Sequence, residues 1–228
     1  MIKTVLFDVD DTILDFHKAE ATAIRKTFAE LGIEPTDELV SLYSRINLSQ
    51  WKLLEKGEIT REKLLTRRFD IFYAELGLSQ SSEKTQEKYE KYLSRGAYYI
   101  DGAEALLEYL YGKYELYIVS NGTAYVQNNR IEISGMAKYF KDIFISEYIG
   151  YDKPSKEYFN ACFEKIPNLE KDKSIIVGDS LTSDILGGIN AGIKTCWFNP
   201  RKAPKDPEIR PDYEIRKLSQ LPKLLEKI

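Results

Sequence analysis

One apolar strand stands apart from all the others in this chain, and that separation restricts the fold more than any other feature. Ile2-Lys3-Thr4-Val5-Leu6-Phe7 is a short β-branched and aromatic run that reads as a buried strand. It ends in Asp8-Val9-Asp10-Asp11-Thr12, so acids cluster at its carboxyl end. Residues 16–96 then contain no comparable run. Ile24, Phe28 and Leu31 fall at helical spacing there, as do Leu65, Phe69, Phe72 and Leu76. Four candidate helices stop at Gly32, Gly57, Gly77 and Gly96, where a left-handed glycine can close a helix. Their sequences differ, which points to a helical bundle and not to a repeat array.

Beyond Gly96 the pattern changes to alternation. A helix over Ala103–Tyr111 leads into the strand Glu115–Ser120, followed by a helix over 125–133 and a strand over 143–146. A helix over 156–165 precedes the strand Ser174–Val177; a further helix, a strand over 194–198, a short strand over 213–215 and a last helix follow. Strands alternating with helices specify an α/β fold: a doubly wound parallel sheet covered on both faces. Residues 1–15 and 97–228 are therefore expected to form one core, and residues 16–96 a helical cap inserted into it.

Composition excludes several classes. Lys plus Arg number 33 against 36 Asp plus Glu, a net charge of −3, which offers no basic surface for a nucleic-acid polymer or a membrane. No stretch approaches the roughly 18 consecutive apolar residues of a transmembrane helix. The start has no signal-peptide pattern, and a cytoplasmic protein is expected. Two cysteines are too few for a disulfide framework, and Cys162 and Cys196 read as buried core residues. With His17 as the single histidine, His-rich metal sites are excluded, and no G-x-S-x-G elbow supports a serine hydrolase.

The chemistry must rest on carboxylates, lysines, hydroxyls and backbone groups. Ligands of open α/β sheets bind outside the carboxyl ends of the strands. Three strands deliver Asp8 and Asp10, then Ser120, then Asp179 to that edge, and Lys153 lies on a loop able to reach it. Acids gathered there repel one another unless a cation lies between them, and hard oxygen ligands in a partial cage describe Mg²⁺. Asp8 suits a nucleophile that attacks phosphorus, and Asp10 a group that protonates the leaving alcohol and then deprotonates water. Lys153 would neutralise the phosphoryl group; the Ser120 hydroxyl and the N–H groups near Asn121 and Gly122 would hold its oxygens. D-x-D-x-T or G-D-x-x-x-x-D alone occurs by chance in roughly a few per cent of chains this long. Both, in order behind apolar strands and separated by a strand-end Ser and a Lys-Pro, form a far more specific signal.

These stretches make the chain similar to the haloacid dehalogenase superfamily of aspartate-nucleophile phosphatases. The matching segments are Phe7-Asp8-Val9-Asp10-Asp11-Thr12, Val119-Ser120-Asn121-Gly122, Lys153-Pro154 and Gly178-Asp179-Ser180-Leu181-Thr182-Ser183-Asp184. The resemblance implies Asp8 as nucleophile and Asp10 as general acid/base. It implies Mg²⁺ on the Asp8 carboxylate, the Asp10 carbonyl and Asp179, with Asp184 acting indirectly, and the phosphoryl group on Ser120, Asn121 and Lys153. Asp11 stands where most such phosphatases carry Gly, which a left-handed Asp can absorb. Asp-x-Asp-Asp-Thr, Ile145-Ser146-Glu147, Gly150-x-x-Lys153-Pro154, the run from Asp184 to Gly192 and the segment from Gln50-Trp51 to Thr60 resemble the bacterial pyrimidine 5′-nucleotidase branch. That implies a small phosphate ester as substrate, a nucleoside 5′-monophosphate. A sugar-phosphate phosphatase or mutase and a non-catalytic phosphometabolite-binding protein are the alternatives. An acid at position 10 disfavours a dehalogenase, since halide leaves without a proton. Oligomeric state is left open.

Other features have plainer readings. Gly187-x4-Gly192 misses the P-loop spacing and follows a helix, so close helix–sheet packing explains its glycines better. His17 reads as a solvated hinge residue. Tyr89, Tyr92, Tyr98 and Tyr99 read as packing residues with exposed hydroxyls; Trp51 is the first candidate among the cap aromatics to stack on a base, with core packing its default reading. The proline-rich loop Arg201–Pro211 reads as a surface connection.

Overall fold

The computed structural model describes all 228 residues. Strand β1 (Thr4–Phe7) leads into four helices: α1 (Phe16–Glu30), α2 (Asp37–Glu55), α3 (Arg61–Leu76) and α4 (Ser82–Leu93). Their starts are set by Asp15, Thr36, Thr60 and Ser81, each of which accepts a first-turn backbone N–H on its side chain. Their inward stripes pack around Phe28, Tyr43, Phe69, Phe72 and Tyr89, with Phe28 and Phe72 stacked at 4.7 Å. The chain enters and leaves this bundle side by side. Asp15 N–H donates to the Tyr98 carbonyl (2.8 Å) and Ile100 N–H to that of Ile13 (2.9 Å).

The remaining elements are α5 (Ala103–Leu110), β2 (Glu115–Ser120), α6 (Ala124–Ser134), β3 (Asp142–Ile145), α7 (Ser146–Ile149), α8 (Lys156–Phe163), β4 (Ser174–Gly178), α9 (Leu186–Ala191), β5 (Lys194–Phe198), β6 (Tyr213–Ile215) and α10 (Leu221–Leu225). A wide turn of π-helix, Leu181–Ile185, joins β4 to α9. The six strands form one parallel sheet ordered β3-β2-β1-β4-β5-β6. Strand side chains alternate between its faces. Val5 and Phe7 join Leu107, Leu110 and Leu221 on one side; Leu6 joins Tyr158, Phe159 and Cys162 on the other. The winding direction reverses between β1 and β4, where Phe7 pairs with Val177, and a crevice opens there at the strand ends. No helix is long and apolar enough to cross a membrane.

Two expectations need correction. Gly32, Gly57 and Gly77 do close their helices in the left-handed region (φ +73°, +71° and +63°), but Gly96 does not. It is glycine because a Cβ there would lie 2.6 Å from the Ala19 Cβ: the exit segment presses on α1. The Tyr89 hydroxyl is buried inside the bundle and not exposed. Asp11, by contrast, does take the left-handed conformation (φ 57°), and its Oδ1 accepts from Phe16 N–H at 3.1 Å.

The glycines of α9 serve close packing. A Cβ on Gly188 would meet Ile176 Cγ2 at 2.5 Å and Thr195 Cγ2 at 2.7 Å, both on the sheet. Gly188→Ala should therefore destabilise by about 1–3 kcal/mol in urea unfolding; an unchanged midpoint would show that the helix is not seated on the sheet. Burial pushes both the Cys162 and Cys196 thiols up to about 12, holding them protonated. A raised folded-state value stabilises fully below the ordinary thiol pKa and is lost as pH rises through about 12. At pH 8 a thiol reagent should label neither cysteine until the protein is unfolded, and rapid labelling of the native state would contradict this burial.

Candidate active site

Parallel pairing puts the residues after β1, β2 and β4 at one edge. Asp8 follows β1, and its N–H donates to the Val177 carbonyl of β4 at 3.0 Å. Into this junction comes Lys153, from the loop between α7 and α8. Its buried Nζ donates to Asp8 Oδ1 (2.7 Å), Asp184 Oδ1 (2.7 Å) and the Val119 carbonyl (2.8 Å). The Thr12 hydroxyl reaches the other Asp8 oxygen at 3.3 Å. Asp184 is placed by the π turn, where its Oδ2 accepts the Ser180 N–H at 3.0 Å. Gly178 is glycine because a Cβ would strike the Asp184 carboxylate at 2.3 Å.

Burial governs the electrostatics. It pushes the Asp8 carboxyl up to about 8, with Asp184 and Asp10 adding repulsion and Lys153 pulling the other way. Asp179 is driven well above the ordinary carboxylate range by burial, then by Asp184, Asp8 and Asp11. Burial works against the Lys153 ammonium, but Asp184 and Asp8 outweigh it and raise its pKa above the ordinary lysine value. Carboxylate oxygens of Asp8, Asp179 and Asp184 lie within 4.8 Å of one another. One ammonium among three such acids leaves negative charge uncompensated. A hard divalent cation such as Mg²⁺ fits this donor set.

The phosphate-side residues are held by one another. Ser120 Oγ accepts from Gly122 N–H (3.1 Å) and from Gln127 Nε2 (2.7 Å). The Asn121 side chain is spent on the Lys153 backbone, accepting its N–H at 2.8 Å and donating to its carbonyl at 2.9 Å. It staples the two loops, so any Asn121 contact with a phosphoryl oxygen falls to its backbone. Asp10 lines the same cavity and is ion-paired with Arg130, a residue the sequence reading passed over together with Gln127. Both lie on the buried face of α6 at i and i+3, where an apolar stripe is the norm. Polar side chains on that stripe were the available signal.

The bundle covers the site, leaving a cavity of about 510 Å³ between them. Trp51 is half-buried on its wall, with the Arg61 guanidinium 5.8 Å from its ring. Arg61 donates to the Asn121 carbonyl (2.6 Å) and pairs with Asp152 and Ser146. Lys52 donates to Thr182 Oγ1 at 2.5 Å. These contacts bridge bundle and sheet, and no motif announced them. His17 has a half-exposed side chain at the rim, paired with Asp11 and bonded to Arg201 of the proline-rich loop.

Comparison with known proteins agrees with this geometry. The family described as haloacid dehalogenase-like hydrolase matches residues 5–198. The HAD-hydrolase YfnB of Bacillus subtilis is 46% identical over 96% of this chain and 93% of its own. Its magnesium-bound crystal structure, which reveals interdomain movement in that protein, superposes with a TM-score of 0.94, covering 98% of each chain. The pyrimidine 5′-nucleotidases PynA of Streptococcus pneumoniae and YjjG of Escherichia coli are 34% and 31% identical, over 99% and 97% of this chain and 95% and 96% of theirs.

If the acid cluster binds a divalent ion, millimolar Mg²⁺ should raise the thermal unfolding midpoint, since a ligand that binds only the folded state stabilises it. Asp179→Asn should remove most of that rise. An equal rise in the variant would place the ion elsewhere.

Proposed function

This chain belongs to the haloacid dehalogenase-like hydrolase family, and on that premise we propose that it is a Mg²⁺-dependent phosphomonoesterase acting on nucleoside 5′-monophosphates, pyrimidine ones foremost. The observation that carries the phosphatase reading is the placement of Asp8 under Lys153, beside the Asp184 and Asp179 carboxylates, with a second acid, Asp10, on the same cavity. Asp8, Asp179 and the Asp10 backbone carbonyl would hold the ion, with Asp184, whose oxygens accept from Lys153 and Ser180, acting indirectly. When bound, Mg²⁺ offsets charge on the phosphoryl oxygens as a Lewis acid.

The reaction then follows from the chain's own groups. A carboxylate oxygen of Asp8 attacks phosphorus, and the bond to the ester oxygen breaks, leaving an aspartyl-phosphate. Asp10 gives its proton to that departing oxygen, so an alcohol leaves. The Asp10 carboxylate next takes a proton from water as it attacks phosphorus, releasing phosphate and restoring Asp8. Lys153 fixes the orientation of Asp8, favours its ionised form and balances charge on the phosphoryl group. Residues 16–96 act as the cap that shelters this chemistry from bulk water and selects the leaving group. The nucleotide reading is supported by the two nucleotidase relatives, by a cavity with room for a nucleoside, and by Trp51 on its wall.

Asp8→Asn should lower phosphate release at least about 10³-fold while leaving the unfolding midpoint close to wild type. Activity retained in that variant would reject the covalent route. In a phosphate-release panel with Mg²⁺, pyrimidine nucleoside monophosphates should outrun sugar phosphates. A preference of about hundredfold for a sugar phosphate would reject the nucleotide reading.

A further inference from the structure

Arg130, on α6, is fully buried against the bundle exit, and its three nitrogens are used unequally. Nε donates to the Gly96 carbonyl at 3.0 Å. Nη1 pairs with Asp10 Oδ1 and also reaches Gln127 Oε1 at 3.1 Å. Nη2 is buried without any hydrogen-bond partner. Gln127, equally enclosed, donates to Asp10 Oδ2 at 2.7 Å and to Ser120 Oγ at 2.7 Å. Each oxygen of the Asp10 carboxylate thus receives one fixed donor. Gly122 is glycine to let this pass, because a Cβ there would lie 2.5 Å from Gln127.

Burying a guanidinium is costly unless pairing offsets it. A merely structural arginine would be expected to spend all of its donors. Here both Nη2 donors are left unused, while the shared Nη1 holds the carboxylate assigned to proton transfer. The Gly96 end matters equally. That residue lies on the segment leaving the bundle and packs against Ala19 of α1, so a shift of the bundle exit reaches Asp10 through one rigid fork.

We propose that Arg130 is a positioning residue for Asp10, aiming its carboxyl at the ester oxygen of the substrate and tying that aim to the cap linker at Gly96. The inference rests on the reading of Asp10 as proton donor given above. In the first half-reaction the Asp10 proton passes to the ester oxygen as its bond to phosphorus breaks; a misaimed carboxyl slows that transfer without weakening the Asp8 nucleophile.

The test uses leaving groups. An alkyl phosphate needs the proton, whereas p-nitrophenyl phosphate leaves as a stable anion without it. For Arg130→Lys, which keeps charge but loses the fork, kcat/KM on an alkyl phosphate should fall about 10- to 100-fold. On p-nitrophenyl phosphate kcat/KM should stay within about threefold, with a burst of nitrophenolate as the second half-reaction becomes limiting. Arg130→Gln should show the same split, and thermal melts identify which variant is folded. Asp10→Asn serves as the reference. If Asp10→Asn splits the two substrates and the folded Arg130 variants lose both equally or lose neither, the positioning role is overturned alone. If Asp10→Asn shows no split, the proton-donor reading falls and the proposal falls with it.

Discussion

The buried ammonium of Lys153 carries three hydrogen bonds, to Asp8, Asp184 and the Val119 carbonyl, and the arrangement of the crevice follows from them. The three contacts come from the ends of β1 and β2 and from the turn after β4, so one side chain ties both sides of the reversal in strand order. Burial alone would discharge these carboxyls. The lysine opposes that for Asp8, while Asp179 stays well above the ordinary carboxylate range despite it. An assembly so short of positive charge is poised to accept a divalent ion and, beside it, the oxygens of a phosphoryl group.

The helical bundle supplies the other half of the arrangement. Arg61 lies against the Asn121 and Gly122 carbonyls, while Lys52 and Glu55 reach Thr182, so bundle residues touch both loops that flank the acids. These polar contacts are few and lie on surfaces that a small rotation would separate, unlike the apolar interior of either unit. Charge-assisted hydrogen bonds of this kind join bundle and sheet through a few polar contacts at the rim of the cavity.

Much of this was readable in the amino-acid sequence because it depends on local pattern. β-branched runs marked the strands, caps and spacing marked the helices, and acids directly behind apolar strands marked the edge where the carboxylates gather. What escaped depends on contacts between distant segments. Arg130 reads as an ordinary solvent-facing charge until α6 is seated against Asp10 and Gly96. The Asn121 amide reads as a phosphate ligand until the Lys153 backbone arrives opposite it. Gly96 looks like a helix stop, yet its reason is the methyl group of Ala19, 77 positions earlier in no pattern a local reading could use. Helix ends and strand positions are encoded nearby; hydrogen-bond partners are set by topology.

The central claim is that a carboxyl oxygen of Asp8 becomes bonded to phosphorus during turnover. Borohydride added during steady-state hydrolysis of a nucleoside monophosphate reduces an acyl phosphate to an alcohol, converting the side chain at that position to homoserine, which peptide mass spectrometry locates. The account predicts homoserine at position 8 and at no other aspartate, with the amount falling when substrate is withheld. Substrate-independent reduction, or rapid phosphate release with position 8 unmodified, would contradict it.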